Sequence, residues 1–219
     1  MNDMLRQYYL TQLNIDIYKL AIRSEVSEKI QEAPLKESIK ECAWEALETR
    51  ALVCTQCKLC TTRTQVVFGT GSKTARIMLV GEAPGFYEDK QGEPFVGRAG
   101  QLLNAMLLSI GVTRHEVYIA NVIKCRPPEN RDPMPDEVAA CSPFLEEQIQ
   151  LIAPKCLVAL GRHAAHRLLQ TTQPLNALRG KWHHSGDIPV RVSYHPAYLL
   201  RNPRDKARAY KDWVEIKRI

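Results

Sequence analysis

A chain of 219 residues, 45% hydrophobic and 25% charged, has the make-up of a globular protein and enough length to bury a core in one domain with an appendage. No apolar run approaches the length that spans a bilayer, and acids and polar residues interrupt the opening MNDMLRQYYLTQLNIDIYKL where a signal peptide needs an unbroken apolar core. A cytoplasmic protein is therefore expected. The net charge of +6 is compatible with a polyanionic partner without demanding one, and seven cysteines in a reducing compartment point to metal binding or burial, away from a disulfide framework.

Residues 1 to 50 read as an N-terminal helical extension, with Leu5, Tyr8, Tyr9 and Leu13 on one face and a second helix near Glu37 to Thr49 that carries Cys42 on an apolar side. Nothing in it carries chemistry; it is either packing or an arm for a protein partner. Residues 51 to 219 form the second, larger domain. It begins with CTQCKLC, where Cys54, Cys57 and Cys60 follow at x-x spacings. Two thiolates of a Cys-x-x-Cys turn can chelate one centre, a geometry that serves zinc and iron–sulfur clusters alike. Two ligands are too few, and Cys125 and Cys141 bracket a proline-rich loop that needs something to hold it. Cys54, Cys57, Cys125 and Cys141 would staple that loop to the segment before the first strand, leaving Cys60 spare.

Ile77 to Val80 is an apolar run bounded by glycine, the pattern of a strand covered on both faces. The loop after it is rich in glycine, proline and acid, and it opens where parallel α/β sheets bind ligands, which marks Glu82, Phe86, Glu88, Asp89 and Phe95 as candidates. A helix over Gly100 to Ile110 follows, then a strand over Val117 to Ala120 ending at Asn121. Pro135 starts a helix that runs to Ile152. Cys156 to Leu160 is a third strand, Arg162 to Leu169 a helix, Val190 to Tyr194 a fourth strand ending at His195, and a helix near Asp205 to Lys217 closes the chain. The alternation predicts a three-layer α/β/α fold around a four-stranded parallel sheet. The ends of strands one, two and four then share a rim, where Glu82, Asn121 and His195 converge. An asparagine amide pairs one acceptor with one donor and can read a uracil-like edge, and a histidine can stabilise an oxygen gaining negative charge.

The segments GEAPGFYED, EPFVGRAGQLLN, NVIKCRPPENR, the later Cys141 and HPAYLLRNP together resemble, in order and spacing, the family 4 uracil-DNA glycosylases, the iron–sulfur branch of that superfamily. The resemblance covers about residues 54 to 203. It implies a 4Fe-4S cluster on Cys54, Cys57, Cys125 and Cys141, with zinc as the alternative that spacing leaves open. It implies action on uracil-containing DNA; a monomer with no membrane partner is expected. It implies a pocket of Glu82, Ala83, Phe95, Asn121 and His195 in which Phe95 stacks on a flipped base, Asn121 reads its edge and His195 faces O2 of the leaving uracil. Leu199 would fill the gap left in the DNA stack and Arg201 would hold a phosphate. Ala83 stands where other branches have a water-orienting aspartate, so Glu82 and then Asp89 are the candidates for that role. Gly85 stands where they have a thymine-blocking tyrosine, and Glu88 could crowd C5 instead. A non-catalytic DNA-binding or polymerase-associated module with the same fold is the other functional class, disfavoured because such a module needs no uracil-reading set.

Overall fold

The computed structural model describes residues 38 to 217. The chain divides between Glu45 and Ala46. Of the first unit residues 38 to 45 are described; all are helical, and Cys42 is exposed where an apolar-face position was expected. The face expected from Leu5, Tyr8, Tyr9 and Leu13 lies outside the described residues. Helix α1 covers residues 38 to 52.

The sheet is built from β1 (Thr70–Gly71), β2 (Ile77–Gly81), β3 (Tyr118–Asn121), β4 (Cys156–Leu160), β5 (Trp182–Ser185) and β6 (Ile188–Ser193) in the order β1-β3-β2-β4-β6-β5. Strands β3, β2, β4 and β6 are mutually parallel, as expected. The two edge strands, which pair antiparallel, were not expected. Neither carries a periodic signal: β1 is two residues long, and no residue of β5 is fully buried. Only the two-residue turn Gly186-Asp187, with Gly186 at φ +57°, marks the β5–β6 hairpin in the sequence.

The helices are α2 (Phe86–Gln91), α3 (Arg98–Ser109), α4 (Pro135–Ile152), α5 (Arg162–Leu169), α6 (Leu175–Leu178), α7 (Pro196–Arg201) and α8 (Lys206–Ile216). Successive side chains of a strand point to opposite faces, and register does the rest. Leu79 lies beside Ile119 on one side and Val158 on the other, so these three share a face. That face packs against Leu103 and Leu107 of α3 and Trp213 and Ile216 of α8. Each such buried side chain contributes about 1.5–3 kcal/mol. Tyr118 points the other way, and its hydroxyl accepts from Gln148 Nε2 of α4 at 3.1 Å. Helix α5 packs on β4, completing the third layer. Helix α4 starts as the sequence implies, with Pro135 first and Asp136 and Glu137 in the first turn; the Glu137 carboxylate accepts from Met134 N at 2.8 Å.

From β2 the chain steps one way to β3 and the other way to β4, so the strand order reverses between β2 and β4. Ligands of open α/β sheets bind outside the carboxyl ends of the strands at that reversal.

Candidate functional site

The carboxyl ends of β2, β3 and β6 open into a cavity of about 450 Å³. Glu82, Ala83, Glu88, Phe95, Asn121, His195 and Arg201 all line it. Asn121 closes β3 opposite Gly81 of β2. It is buried, and its Oδ1 has no hydrogen-bond partner among the described residues. A buried acceptor left unpaired costs about 1–3 kcal/mol, so this oxygen is set up for a donor that comes with a ligand. The approach needs a glycine beside it: a methyl group on Gly81 would lie 2.4 Å from Asn121 Oδ1 and 2.7 Å from the Phe95 ring. Phe95 itself sits at φ +56°, a region a bulky residue enters only when its surroundings hold it there. Arg114 does so by donating to the carbonyls of Pro94 and Phe95.

His195 precedes α7, and its Nδ1 accepts from Ala197 N at 3.2 Å. In the neutral ring the proton therefore sits on Nε2. Burial, with Arg201 nearby, pushes the imidazole pKa down to about 4, against a smaller upward pull from Glu88. At neutral pH His195 is an uncharged donor beside the Phe95 ring, their centroids 5.4 Å apart.

Glu82 follows β2 directly and is half-buried. Burial raises its carboxyl pKa, His163 opposes that rise, Asp132 adds to it and Arg162 opposes it. Glu82, Asp132 and His163 offer three donor atoms within 4.8 Å of one another, the geometry of a metal site. The Arg162 guanidinium already stands there, 3.0 Å from Asp132 Oδ2 and 2.9 Å from His163 Nε2, and a divalent cation would have to displace it. The cluster already holds a cation of its own in Arg162. His163, Asp132 and Tyr198 were missed from the sequence. His163 had a signal, since it lies three residues past the end of the third parallel strand.

Three expected site residues are elsewhere. Phe86 is exposed on α2 and does not line the cavity. Asp89 is buried away from the cavity, its two carboxylate oxygens accepting from Thr64 N at 2.9 and 3.1 Å; it ties the segment after the cysteine turn to α2 and has no reach to a water in the pocket. Leu199 is buried against Tyr194 and Ala209, because Pro196 starts a helix whose turn carries the fourth residue inward. It is not an exposed wedge. Glu88 does line the cavity; its Oε1 accepts from Val96 N and Gly97 N at 3.0 and 3.1 Å, and its Oε2 lies 2.7 Å from where a side chain on Gly85 would begin. It fills the space that a larger residue at position 85 would take.

A second hollow gathers Cys54, Cys57, Cys125 and Cys141, and Cys60 is not among its lining residues. Cys54 and Cys57 come from the turn after α1, Cys125 from the loop after β3 and Cys141 from α4. Arg63 donates to Cys125 Sγ at 3.1 Å and Lys124 N to Cys141 Sγ at 3.2 Å, contacts that would also serve a ligand-bound thiolate. Burial pushes the free Cys141 thiol up to about 11, partly offset by Lys124. Lys124 Nζ in turn donates to the Asn121 carbonyl at 3.0 Å and to Gln148 Oε1 at 2.6 Å, so one buried residue joins Cys141, through its backbone N–H, to the end of β3.

Residues 68–215 match the Uracil DNA glycosylase superfamily. The chain is 44% identical over 184 residues to a type-4 uracil-DNA glycosylase of Sulfurisphaera tokodaii, covering 80% of this chain and 84% of that one. It is 46% identical over 168 residues to that of Thermotoga maritima (75% and 86%) and 43% identical over 171 residues to that of Archaeoglobus fulgidus (74% and 86%).

Proposed function

This chain belongs to the uracil DNA glycosylase superfamily, and we propose from that premise that it takes uracil flipped out of DNA and hydrolyses its N-glycosidic bond, leaving an abasic site. The observation that carries the reading is the unpaired, buried Asn121 Oδ1 facing a cavity that also presents Phe95 and the protonated nitrogen of a neutral His195.

Uracil offers N3–H to that oxygen and O4 to the amide nitrogen; cytosine offers an acceptor and a donor in the opposite places and leaves both unsatisfied. Phe95 supplies the stacking face for the extruded base. As the bond to C1′ stretches, the sugar takes on oxocarbenium character and charge builds on the uracil oxygens. His195 Nε2–H donates to O2 without being a cation, and its own proton stays on the ring. Glu82, with an ionised carboxylate, orients the water that adds to C1′. Glu88 stands over C5 and excludes a methyl group there, and Arg201 at the mouth meets a phosphate.

The four cysteines would hold a 4Fe-4S cluster. The donor set fits: four thiols, two of them already receiving N–H donors. Zinc at about 2.3 Å from each sulfur would draw the sulfurs to within about 3.8 Å of one another, whereas among the described residues no three lie within 4.8 Å. Held by these four residues, a cluster would supply iron–sulfur bonds tying the loop after β3 to α4 and to the turn after α1. A protein partner for the N-terminal residues, whose placement lies outside the described part, remains part of the proposal.

The test is incubation with a uracil-containing oligonucleotide followed by alkaline cleavage. Strand scission at the uracil position, absent for the thymine and cytosine controls, is expected; an intact strand from iron-replete protein would overturn the reading.

A further inference from the structure

Resting on the glycosylase reading above, we infer that His163 is a positioning residue for excision, holding the Glu82 carboxylate toward the cavity from a cluster anchored by Arg162 and Asp132. Nothing in the pairing of strands requires this cluster. The main chain at Glu82 is set by its neighbour, its carbonyl accepting from Ile123 N at 3.2 Å. Its side chain is not: the contact it makes among the described residues is with His163 Nε2, 3.9 Å from Oε2. That separation exceeds a hydrogen bond. It leaves the carboxylate lone pairs for a water in the cavity while still placing a histidine beside them.

The same nitrogen of His163 meets the other two groups: Nε2 is 3.1 Å from Asp132 Oδ2 and 2.9 Å from Arg162 Nη2, and Arg162 reaches that aspartate oxygen at 3.0 Å. Asp132 belongs to the loop between Cys125 and α4, while Arg162 and His163 open α5, so the cluster fastens the loop to the sheet end where Glu82 emerges. The charged groups facing Glu82 are these three: His163 and Arg162 from α5 and Asp132 from the loop. Their effects have opposite sign. Burial of Glu82 favours its neutral form, His163 and Arg162 favour the carboxylate, and Asp132 favours the neutral form. A water-orienting group must be ionised, so removing His163, which favours the carboxylate, raises the pH below which excision fails, and removing the negative charge at 132 lowers it.

The experiment is single-turnover excision across pH with full-length, iron-replete wild type, His163→Gln and Asp132→Asn, alongside binding of uracil-containing DNA by fluorescence anisotropy. Glutamine keeps a neutral polar group of similar reach. The expected result for His163→Gln is a rate lower by roughly tenfold at neutral pH with its acid limb moved up, and for Asp132→Asn an acid limb moved down, with DNA affinity within about twofold for both. Acid limbs that stay put or move together, or a His163→Gln loss confined to DNA affinity, would overturn the inference while leaving the glycosylase reading intact. A wild type that leaves uracil in place would remove that reading, and this inference with it.

Discussion

The base pocket and the cysteine hollow lie at the two ends of one short stretch, Asn121 to Cys125, and are built by opposite means. Three key side chains of the pocket are delivered by regular structure. Glu82, Asn121 and His195 leave β2, β3 and β6 at their carboxyl ends, and parallel pairing alone brings those ends together. The hollow draws its thiols from a turn, a loop and one helix, and no ladder of backbone hydrogen bonds fixes their spacing. One site is assembled by the fold and would persist as a shape when empty. The other is gathered by loop and side-chain contacts. Lys124 connects them, with its N–H on Cys141 and its ammonium on the Asn121 carbonyl.

The largest expected effect breaks the weaker partner of that pair. Cys125→Ser should lose iron, and stability with it, because the proposed ligand bonds would tie this loop to α4 and to the turn after α1. Cys60→Ser should keep iron and melt as wild type does, since Cys60 is outside the hollow. Iron content and thermal unfolding read both; equal iron loss would overturn the ligand set.

A smaller effect, confined to the pocket, is expected from Asn121→Asp. It removes the donor meant for O4 and sets a negative charge against an anionic leaving group. Single-turnover excision should fall about a hundredfold or more, on the order of 3 kcal/mol, with iron unchanged because the residue is no ligand. Near-normal turnover in iron-replete protein would show that this side chain does not read the base.

The smallest effect sharpens the boundary between the two regions. Asp89→Ala leaves Thr64 N without its carboxylate partner and should cost about 1–3 kcal/mol of stability, measured by urea unfolding. The excision rate should stay within about twofold of wild type, since Asp89 does not line the cavity. A hundredfold loss in rate without loss of stability would return Asp89 to the chemistry.

Much of the scaffold was legible. The helices Pro135–Ile152 and Arg162–Leu169 and the strand Cys156–Leu160 stand where periodicity, the starting proline and the closing glycine put them. These are strong local signals, and burial on both faces leaves the sheet strands no alternative pattern. The edge strands and the cluster around His163 were not legible. A two-residue strand has no period, and Asp132 lies in a loop whose path is set by contacts with Arg162 and His163, thirty and more residues away.

By itself the sequence determined which segments are strands and helices, where α4 begins, and which polar residues stand at strand ends, because each of these follows from neighbours within a turn or two. Only the tertiary structure decided which candidates face the cavity. Glu88 and Asp89 are adjacent acids in the same short helix, yet one lines the pocket and the other is buried on Thr64. A helix turns about 100° per residue, so which of the two meets a ligand depends on how α2 is rotated against the segment beneath it, a matter settled by packing across the chain.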